Sequence, residues 1–186
     1  TLIGTDVEPG DTLKLNIALS NNDIVNGLQF DLKYDKSYFE LLDKCVWSER
    51  ARGYSMTTRD IDNGKLRCFC FSLDGNEIAK GEGNVMTVLF AVKKETAFGA
   101  YAFNVDNVLL STPGLIDKYS GAGNDIVVNV VKPIRTIIVS ASEHGSVNGG
   151  GSYDLGATAT LTAVPDEGYH FVSWSDGNTD NPRSIT

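Results

Sequence analysis

Only two histidines occur in the 186-residue chain, and histidine is the side chain best suited to proton transfer near neutral pH. His144 precedes Gly145 in a predicted turn, and His170 lies between two aromatic residues in a predicted strand. The sequence contains no His-Glu-x-x-His, Cys-x-x-Cys or Gly-x-Ser-x-Gly motif. We therefore predict that both histidines serve turns or packing, that the chain is not an enzyme, and that it holds no cofactor.

Paired carboxylates are the second candidate chemistry, because glycoside hydrolysis uses two acids about 5–10 Å apart. Asp31 with Asp35, and Asp60 with Asp62, have strand-like spacings. Neither pair has an aromatic side chain that the sequence places beside it. Asp60 also begins a run similar to a calcium-binding loop, but the twelfth position is Phe71 and no glutamate closes the site. We predict solvated turns and edges here, and no metal site.

Aromatic side chains could instead bind carbohydrate by stacking on sugar rings. Trp47 and Tyr54, in an irregular and charged part of the chain, are the best candidates for this role. Tyr169 and Trp174 are poorer candidates, because two aromatics form a large part of the core of a module of about fifty residues.

Three cysteines are too few for a disulfide framework, and their odd number leaves at least one thiol free. Cys68 and Cys70 alternate along one predicted strand, so their side chains point to the same face and either could meet Cys45. The alternative is that all three behave as small buried hydrophobic residues.

The net charge of −8 argues against nucleic acid as a partner, since phosphate binding requires clustered lysine and arginine. The proportions of hydrophobic residues (41%) and charged residues (22%) are typical of a globular protein. No apolar run approaches the roughly 20 residues that span a bilayer, so we expect no direct membrane insertion of this fragment.

The elements that position these residues are predicted to be strands. Residues 13–19 and 28–34 alternate apolar and polar side chains, as strands with one buried face do. No segment of ten or more residues between 12 and 132 keeps a helical period. Further strands are predicted at 38–42, 65–73, 84–93, 101–110 and 125–132. Residues 43–60 are predicted to form a long irregular excursion with at most one short strand. The sequence therefore predicts an all-β fold, a two-sheet sandwich.

Two of these strands, 65–73 and 84–92, are apolar on both faces. If Phe69, Phe71 and Leu73 face the core, Leu66, Cys68 and Cys70 face outward. If Met86, Val88, Phe90 and Val92 face inward on the other strand, Val85, Leu89 and Ala91 face outward. When the two strands pair, those residues form one exposed apolar strip, which marks a binding surface unless another part of the chain covers it. Either the 43–60 excursion or the C-terminal module is a candidate cover. The candidate partner-binding residues on this strip are Leu66, Cys68, Cys70, Val85, Thr87 and Leu89.

The chain also resembles a known family over residues 1–131. Pro9-Gly10-Asp11-Thr12 before the first strand, the stretch Gly27-Leu28-Gln29-Phe30-Asp31-Leu32-Lys33-Tyr34-Asp35, Gly64-Lys65-Leu66-Arg67 and the strand from Val85 to Val92 look like the cohesin family. The resemblance implies a jelly-roll β-sandwich of about nine strands, an architecture shared with scaffoldin-type cellulose-binding modules. Cellulosomal cohesins bind dockerins. The resemblance implies that the apolar strip lies on the sheet face with which cohesins bind dockerin.

The C-terminal residues resemble a second family. Gly145-Ser146-Val147, three consecutive glycines, Tyr153, Gly156, Pro165, Gly168, Tyr169, Phe171, Trp174, Asp176 and Gly177 are similar to the divergent internalin-type B-repeat of bacterial surface and secreted proteins. Residues 132–134 are a predicted linker, and residues 135–186 a predicted small β-rich repeat module, incomplete at its C-terminus. Its predicted strands are 135–141, 157–163 and 170–174.

Together these observations predict a non-catalytic, extracellular protein-interaction or structural module of a larger bacterial surface or secreted protein. The expected partner is another extracellular protein, similar to a dockerin. The alternative is a carbohydrate-binding module of a polysaccharide-degrading system, with polysaccharide bound at Trp47 and Tyr54.

Overall fold

The computed structural model of the chain describes residues 5–62, 64–114, 118–121 and 123–186. The chain divides into two units, Thr1–Val131 and Lys132–Thr186. Nearly all regular structure in the described residues is strand, and their one helix is a single 3₁₀ turn at Glu49–Ala51. No helix in this part of the chain is long and apolar enough to cross a membrane. The prediction of an all-β fold is confirmed.

The described part of the first unit contains ten strands. They are β1 (Thr5–Val7), β2 (Thr12–Asn21), β3 (Gly27–Lys33), β4 (Phe39–Trp47), β5 (Ser55–Asp62), β6 (Lys65–Phe71), β7 (Gly81–Val92), β8 (Gly99–Ser111), β9 (Lys118–Gly121) and β10 (Ile126–Val130).

These strands form two sheets that pack face to face as a jelly-roll sandwich. The larger sheet has the order β1-β10-β8-β3-β6-β5, with β9 added to β8, and the smaller sheet has the order β2-β7-β4. β1 lies parallel to β10, and the other pairs are antiparallel. Strands that are neighbours in sequence often lie in different sheets, so the chain crosses between the layers repeatedly.

The core lies between the sheets and is rich in aromatic rings. Phe39 and Phe90 of the smaller sheet and Phe30 and Phe103 of the larger one are at most 1% exposed. The ring centroids of Phe90 and Phe103 lie 5.2 Å apart at an interplanar angle of 69°, an edge-to-face contact across the sandwich. Tyr34 stacks on Phe103 at 5.7 Å. Burial of these rings fixes which face of each strand points inward.

A register shift explains why two consecutive residues of β7 are both buried. The pairing of β2 with β7 shifts between Ile17 and Ala18, whose partners are Met86 and Asn84. Val85 is therefore an extra residue in the ladder, and Val85 and Met86 are both fully buried.

The prediction of a long irregular excursion at residues 43–60 is wrong for most of its length. β4 continues to Trp47, and the edge strand β5 begins at Ser55. The 3₁₀ turn between them carries the chain from the smaller sheet to the larger one.

The second unit contains five short strands in its described residues. They are β11 (Ile134–Ile137), β12 (Gly145–Asn148), β13 (Gly151–Asp154), β14 (Ala159–Pro165) and β15 (Arg183–Ile185). β11 pairs with β13, and β12, β14 and β15 form a three-stranded sheet. Two residues of β14, Ala159 and Leu161, are buried.

The predicted strand at residues 170–174 is wrong, because this stretch has no regular secondary structure. Trp174 is instead held by side-chain interactions with the turn that follows it. Its indole Nε1 donates to the carbonyl of Asp180 at 2.7 Å, and the Arg183 guanidinium lies 5.6 Å from the ring centroid. Arg183 also donates to both carboxylate oxygens of Asp176, at 2.9 and 2.8 Å.

Candidate functional site

On the outer face of β5, β6, β3 and β8, apolar and charged side chains lie side by side. The strand registers arrange this face, which we call the β5–β8 face, in four rows across the sheet. The rows are Ser55-Phe71-Gly27-Ser111, Thr57-Phe69-Gln29-Leu109, Arg59-Arg67-Asp31-Asp106 and Asp62-Lys65-Lys33-Asn104. The first two rows are uncharged and the last two are charged, so the face has an apolar half and a charged half.

The apolar half presents two phenylalanines to solvent from β6. Phe69 is half-buried, Phe71 is exposed, and Leu73 beyond the end of β6 is 85% exposed. Leu109 of β8 is half-buried in the same row as Phe69. The side chains between them are small or polar, so a partner's side chains can reach the rings.

The charged half is organised around Asp31, a carboxylate that is completely buried although its strand position points away from the core. Arg67 donates to it from Nε at 2.7 Å and from Nη2 at 2.9 Å, a bidentate pair. Asn107 Nδ2 donates to Asp31 Oδ2 at 2.6 Å, and Lys65 Nζ lies 3.7 Å from the same oxygen. The cations on the strand beside Asp31 thus cover it from solvent.

These partners change the acidity of Asp31. The hydrogen bond from Arg67 is the largest influence and outweighs desolvation, so the pKa of Asp31 is lowered to about 2. The same pair raises the pKa of Arg67. Asp31 is therefore ionised throughout the neutral range and fixes the Arg67 side chain across the face.

Asn107 reaches Asp31 because β8 is irregular at this point. The pairing of β3 with β8 shifts between Gln29 and Asp31, and Asn107 adopts a left-handed backbone with φ of 49°. Asparagine tolerates this conformation better than most residues. A shallow depression of about 640 Å³ lies beside the bulge, lined by Gln29, Lys65, Arg67, Asp106, Asn107, Leu109 and Gly121.

The exposed strip predicted across strands 65–73 and 84–92 does not exist. β6 and β7 lie in different sheets and do not pair. Leu66, Cys68 and Cys70 face the core and are at most 5% exposed, and Phe69 and Phe71 face outward, the reverse of the expected orientation. The registers Leu28–Cys70, Phe30–Cys68 and Leu32–Leu66 join this inner face of β6 to the apolar face of β3.

The other predicted partner-binding residues belong to β7. Val85 is fully buried at the bulge, which contradicts its expected exposure. Thr87 and Leu89 are half-buried on the outer face of the smaller sheet, where Thr87 Oγ1 donates to Asn16 Oδ1 at 2.7 Å. They are thus on the opposite side of the sandwich from the β5–β8 face.

All three cysteines are free thiols. Cys68 and Cys70 are buried, and Cys45 is half-buried with its side chain toward the core. Desolvation raises the pKa of Cys68 to about 12 and raises those of Cys70 and Cys45 as well. Cys70 Sγ lies 3.9 Å from Met86 Sδ. These thiols pack as small apolar groups.

The two residues predicted to bind carbohydrate do not form an exposed platform. Tyr54 is 4% exposed, and its hydroxyl donates to the carbonyl of Val25 at 3.0 Å. The ring centroid of Trp47 lies 5.7 Å from that of Tyr54, and Trp47 packs against the core. Trp47 and Tyr54 were predicted to be exposed because charged residues surround them in the sequence, but strand β4 directs Trp47 toward the core.

Both histidines lie in the second unit and are exposed. His144 stacks on Tyr169 with ring centroids 4.1 Å apart. In the part of the chain that the structure describes, no three His, Cys, Asp or Glu side chains form a group that could hold a metal ion.

The model of the cohesin domain matches residues 1–130, and that of the divergent InlB B-repeat domain matches residues 135–186. No curated protein matches the chain.

Similar solved structures include cohesins from three organisms. The seventh ScaB type I cohesin of Pseudobacteroides cellulosolvens is 21% identical, with a TM-score of 0.55, over 77% of this chain and 96% of that one. A type I complex of the OlpA cohesin with a dockerin from Clostridium thermocellum gives 16% identity and a TM-score of 0.57, over 70% of this chain and 96% of that one.

A non-cellulosomal cohesin of the archaeon Archaeoglobus fulgidus gives 15% identity and a TM-score of 0.52, over 69% of this chain and 86% of that one. At these identities the structures establish the fold, a cohesin-like jelly roll. The family model covers well over half of the sequence and fits the unit that carries the β5–β8 face. The chain therefore belongs to the cohesin family, through a cohesin domain at residues 1–130 that a divergent B-repeat domain follows.

Proposed function

We propose that this chain is a non-catalytic protein-binding module whose cohesin domain binds a dockerin-like partner through the β5–β8 face. The observation that carries the proposal is an apolar group beside an ordered charged network on one sheet face: half-buried Phe69, exposed Phe71, and exposed Leu73 just beyond the end of β6. Protein interfaces characteristically combine aromatic anchors with a polar surround.

The family supports this role. The cohesin fold is that of a protein-binding domain without enzymatic activity, and the Clostridium thermocellum neighbour was solved as a complex with a dockerin. The alternative of a carbohydrate-binding module is not favoured, because Tyr54 is buried and Trp47 faces inward.

Cohesins are typically extracellular or cell-surface scaffold modules. We place this chain outside the cell on that basis, as part of a bacterial surface or secreted protein. The B-repeat domain at residues 135–186, which follows the cohesin domain in sequence, would then serve as a structural spacer.

The experiment is a binding titration against purified dockerin modules immobilised as a panel, with Phe71→Ser as the variant. Phe71 is exposed on β6, so its replacement should leave folding intact while removing an anchor from the interface. We expect the affinity for any bound dockerin to fall by about tenfold or more, which corresponds to about 1.4 kcal/mol.

Leu89→Ser is the matched control, because Leu89 is half-buried on the outer face of the smaller sheet. The affinity of the Leu89→Ser variant for the dockerin should stay within about twofold of that of the unmodified chain. If Leu89→Ser abolishes binding and Phe71→Ser leaves it unchanged, the binding site is on the smaller sheet. Absence of binding to every dockerin module would reject the proposed function.

A further inference from the structure

The charged half of the β5–β8 face places like charges directly opposite each other on neighbouring strands. Arg59 of β5 is the register partner of Arg67 of β6, and Lys33 of β3 is the register partner of Lys65 of β6. Like charges in directly opposed positions destabilise a sheet. Two such pairs in adjacent rows form a basic cluster, defined here as Lys33, Arg59, Lys65 and Arg67.

The carboxylates of the same two rows neutralise this cluster only in part. Asp31 binds Arg67 and lies close to Lys65, and Asp106 lies 4.0 Å from Lys65. Asp62 is the register partner of Lys65 from β5. Four cations thus face three carboxylates, a local positive excess on a chain whose net charge is −8.

The two outermost cations are the ones available to a ligand. Arg59 and Lys33 are both exposed, and no ion pair joins either of them to another described residue. Arg67 and Lys65, by contrast, are turned toward Asp31, which sets their positions. An incoming anion would meet Arg59 and Lys33 first, with the Arg67–Asp31 pair held between them.

We propose that the basic cluster binds carboxylate side chains of the partner, and that the partner segment is amphipathic. Its apolar side chains would pack on Phe69 and Phe71 while its Asp or Glu side chains reach Arg59 and Lys33. This inference rests on the proposed function, since it specifies the chemistry of the protein that occupies the same face. A carboxylate between the opposed cations would relieve their repulsion, which makes binding more favourable than at an isolated cation.

The test uses the full chain and a dockerin module that binds it in the panel titration. Arg59→Glu and Lys33→Glu should each weaken binding by about tenfold or more, because each replaces attraction with like-charge repulsion. Raising the salt concentration from 50 to 300 mM should weaken binding of the unmodified chain and have much less effect on either variant. Lys14→Glu is the control, an exposed cation on the outer face of the smaller sheet.

A charge exchange completes the test. Each exposed Asp or Glu of the bound dockerin is replaced by Lys, and one of these variants should recover affinity for Arg59→Glu. If Arg59→Glu and Lys33→Glu bind as tightly as Lys14→Glu, the inference is wrong while the proposed function stands. If no dockerin module binds the unmodified chain, the proposed function fails and this inference fails with it.

Discussion

Asp31 shows how one buried carboxylate can link stability to pH in this domain. Its pKa is about 2 in the folded chain, lowered from 3.8 by the Arg67 hydrogen bond above all. A lowered pKa stabilises the fold above pH 4, and this contribution is lost as the pH falls from about 4 to 2. The shift corresponds to about 2 kcal/mol of stability at neutral pH.

The residue-scale prediction is that Asp31→Asn destabilises the first unit by about 2 kcal/mol at pH 7, with a much smaller difference at about pH 2. Urea unfolding followed by Trp47 fluorescence, in a Trp174→Phe background, measures this, since the chain has two tryptophans and Trp47 lies in the first unit. The exposed residue Asp74 offers a control, Asp74→Asn, which should leave stability unchanged. A pH-independent effect of Asp31→Asn would show that the carboxylate charge is not what stabilises the fold.

The orientation of β6 could have been predicted from a signal at this same scale. Lys65 and Arg67 share a face with Phe69 and Phe71, because alternate residues of a strand point the same way. Two cations can remain solvated only if that face is outside, so Leu66, Cys68 and Cys70 must be inside. The prediction placed Phe69 and Phe71 inside because they are aromatic and neglected the two cations on the same face. Burying a charge costs far more free energy than exposing an aromatic ring.

At the scale of elements, the short 3₁₀ turn at Glu49–Ala51 carries Arg50, which joins the ends of β2 and β7. The guanidinium donates to backbone carbonyls and to one side-chain amide, and among the described residues it pairs with no carboxylate. Its acceptors are the carbonyls of Leu19 (2.6 Å), Gly83 (3.2 Å), Ala79 (3.1 Å) and Gly81 (2.6 Å) and the Asn21 side-chain oxygen.

We therefore predict that Arg50→Ala lowers the free energy of unfolding of the first unit by about 2–3 kcal/mol, the range for hydrogen bonds made by a charged group. Arg50→Lys should restore only part of the loss, because an ammonium cannot reproduce the planar fork. The neighbouring Arg52, whose side chain is 83% exposed, gives the control Arg52→Ala, with no measurable change expected. Equal stability of all three variants would mean that solvent replaces these bonds at no cost.

The alternating patterns of β2 and β3 predicted the strands that build both sheets, but they could not predict which strands pair. Alternation reports one buried face per strand, whereas pairing depends on contacts between distant residues. The bulge at Val85 shows a second limit, since an extra residue reverses the alternation without any change in composition. The candidate site was missed for the same reasons, because the β5–β8 face exists only once β5, β6, β3 and β8 are neighbours.

At the scale of the whole molecule, the rows that form the β5–β8 face lie entirely within the first unit. The last strand of that unit, β10, pairs with both β1 and β8, and its Val128 and Val130 are buried. A chain that ends after β10 thus keeps every strand of the sandwich. A chain that ends before β10 lacks the two buried valines and the strand that pairs with both β8 and β1.

We predict that residues 1–131 alone bind the same dockerin module within about twofold of the affinity of the full chain, since no residue of the site is removed. Residues 1–125 should fail to fold, because exposure of β8 and loss of the buried side chains remove several kcal/mol from a domain of marginal stability. Calorimetric titration measures the affinity and circular dichroism the fold. If residues 1–131 fold but bind much more weakly, the B-repeat domain contributes to recognition, and the partner-binding surface extends beyond the cohesin domain.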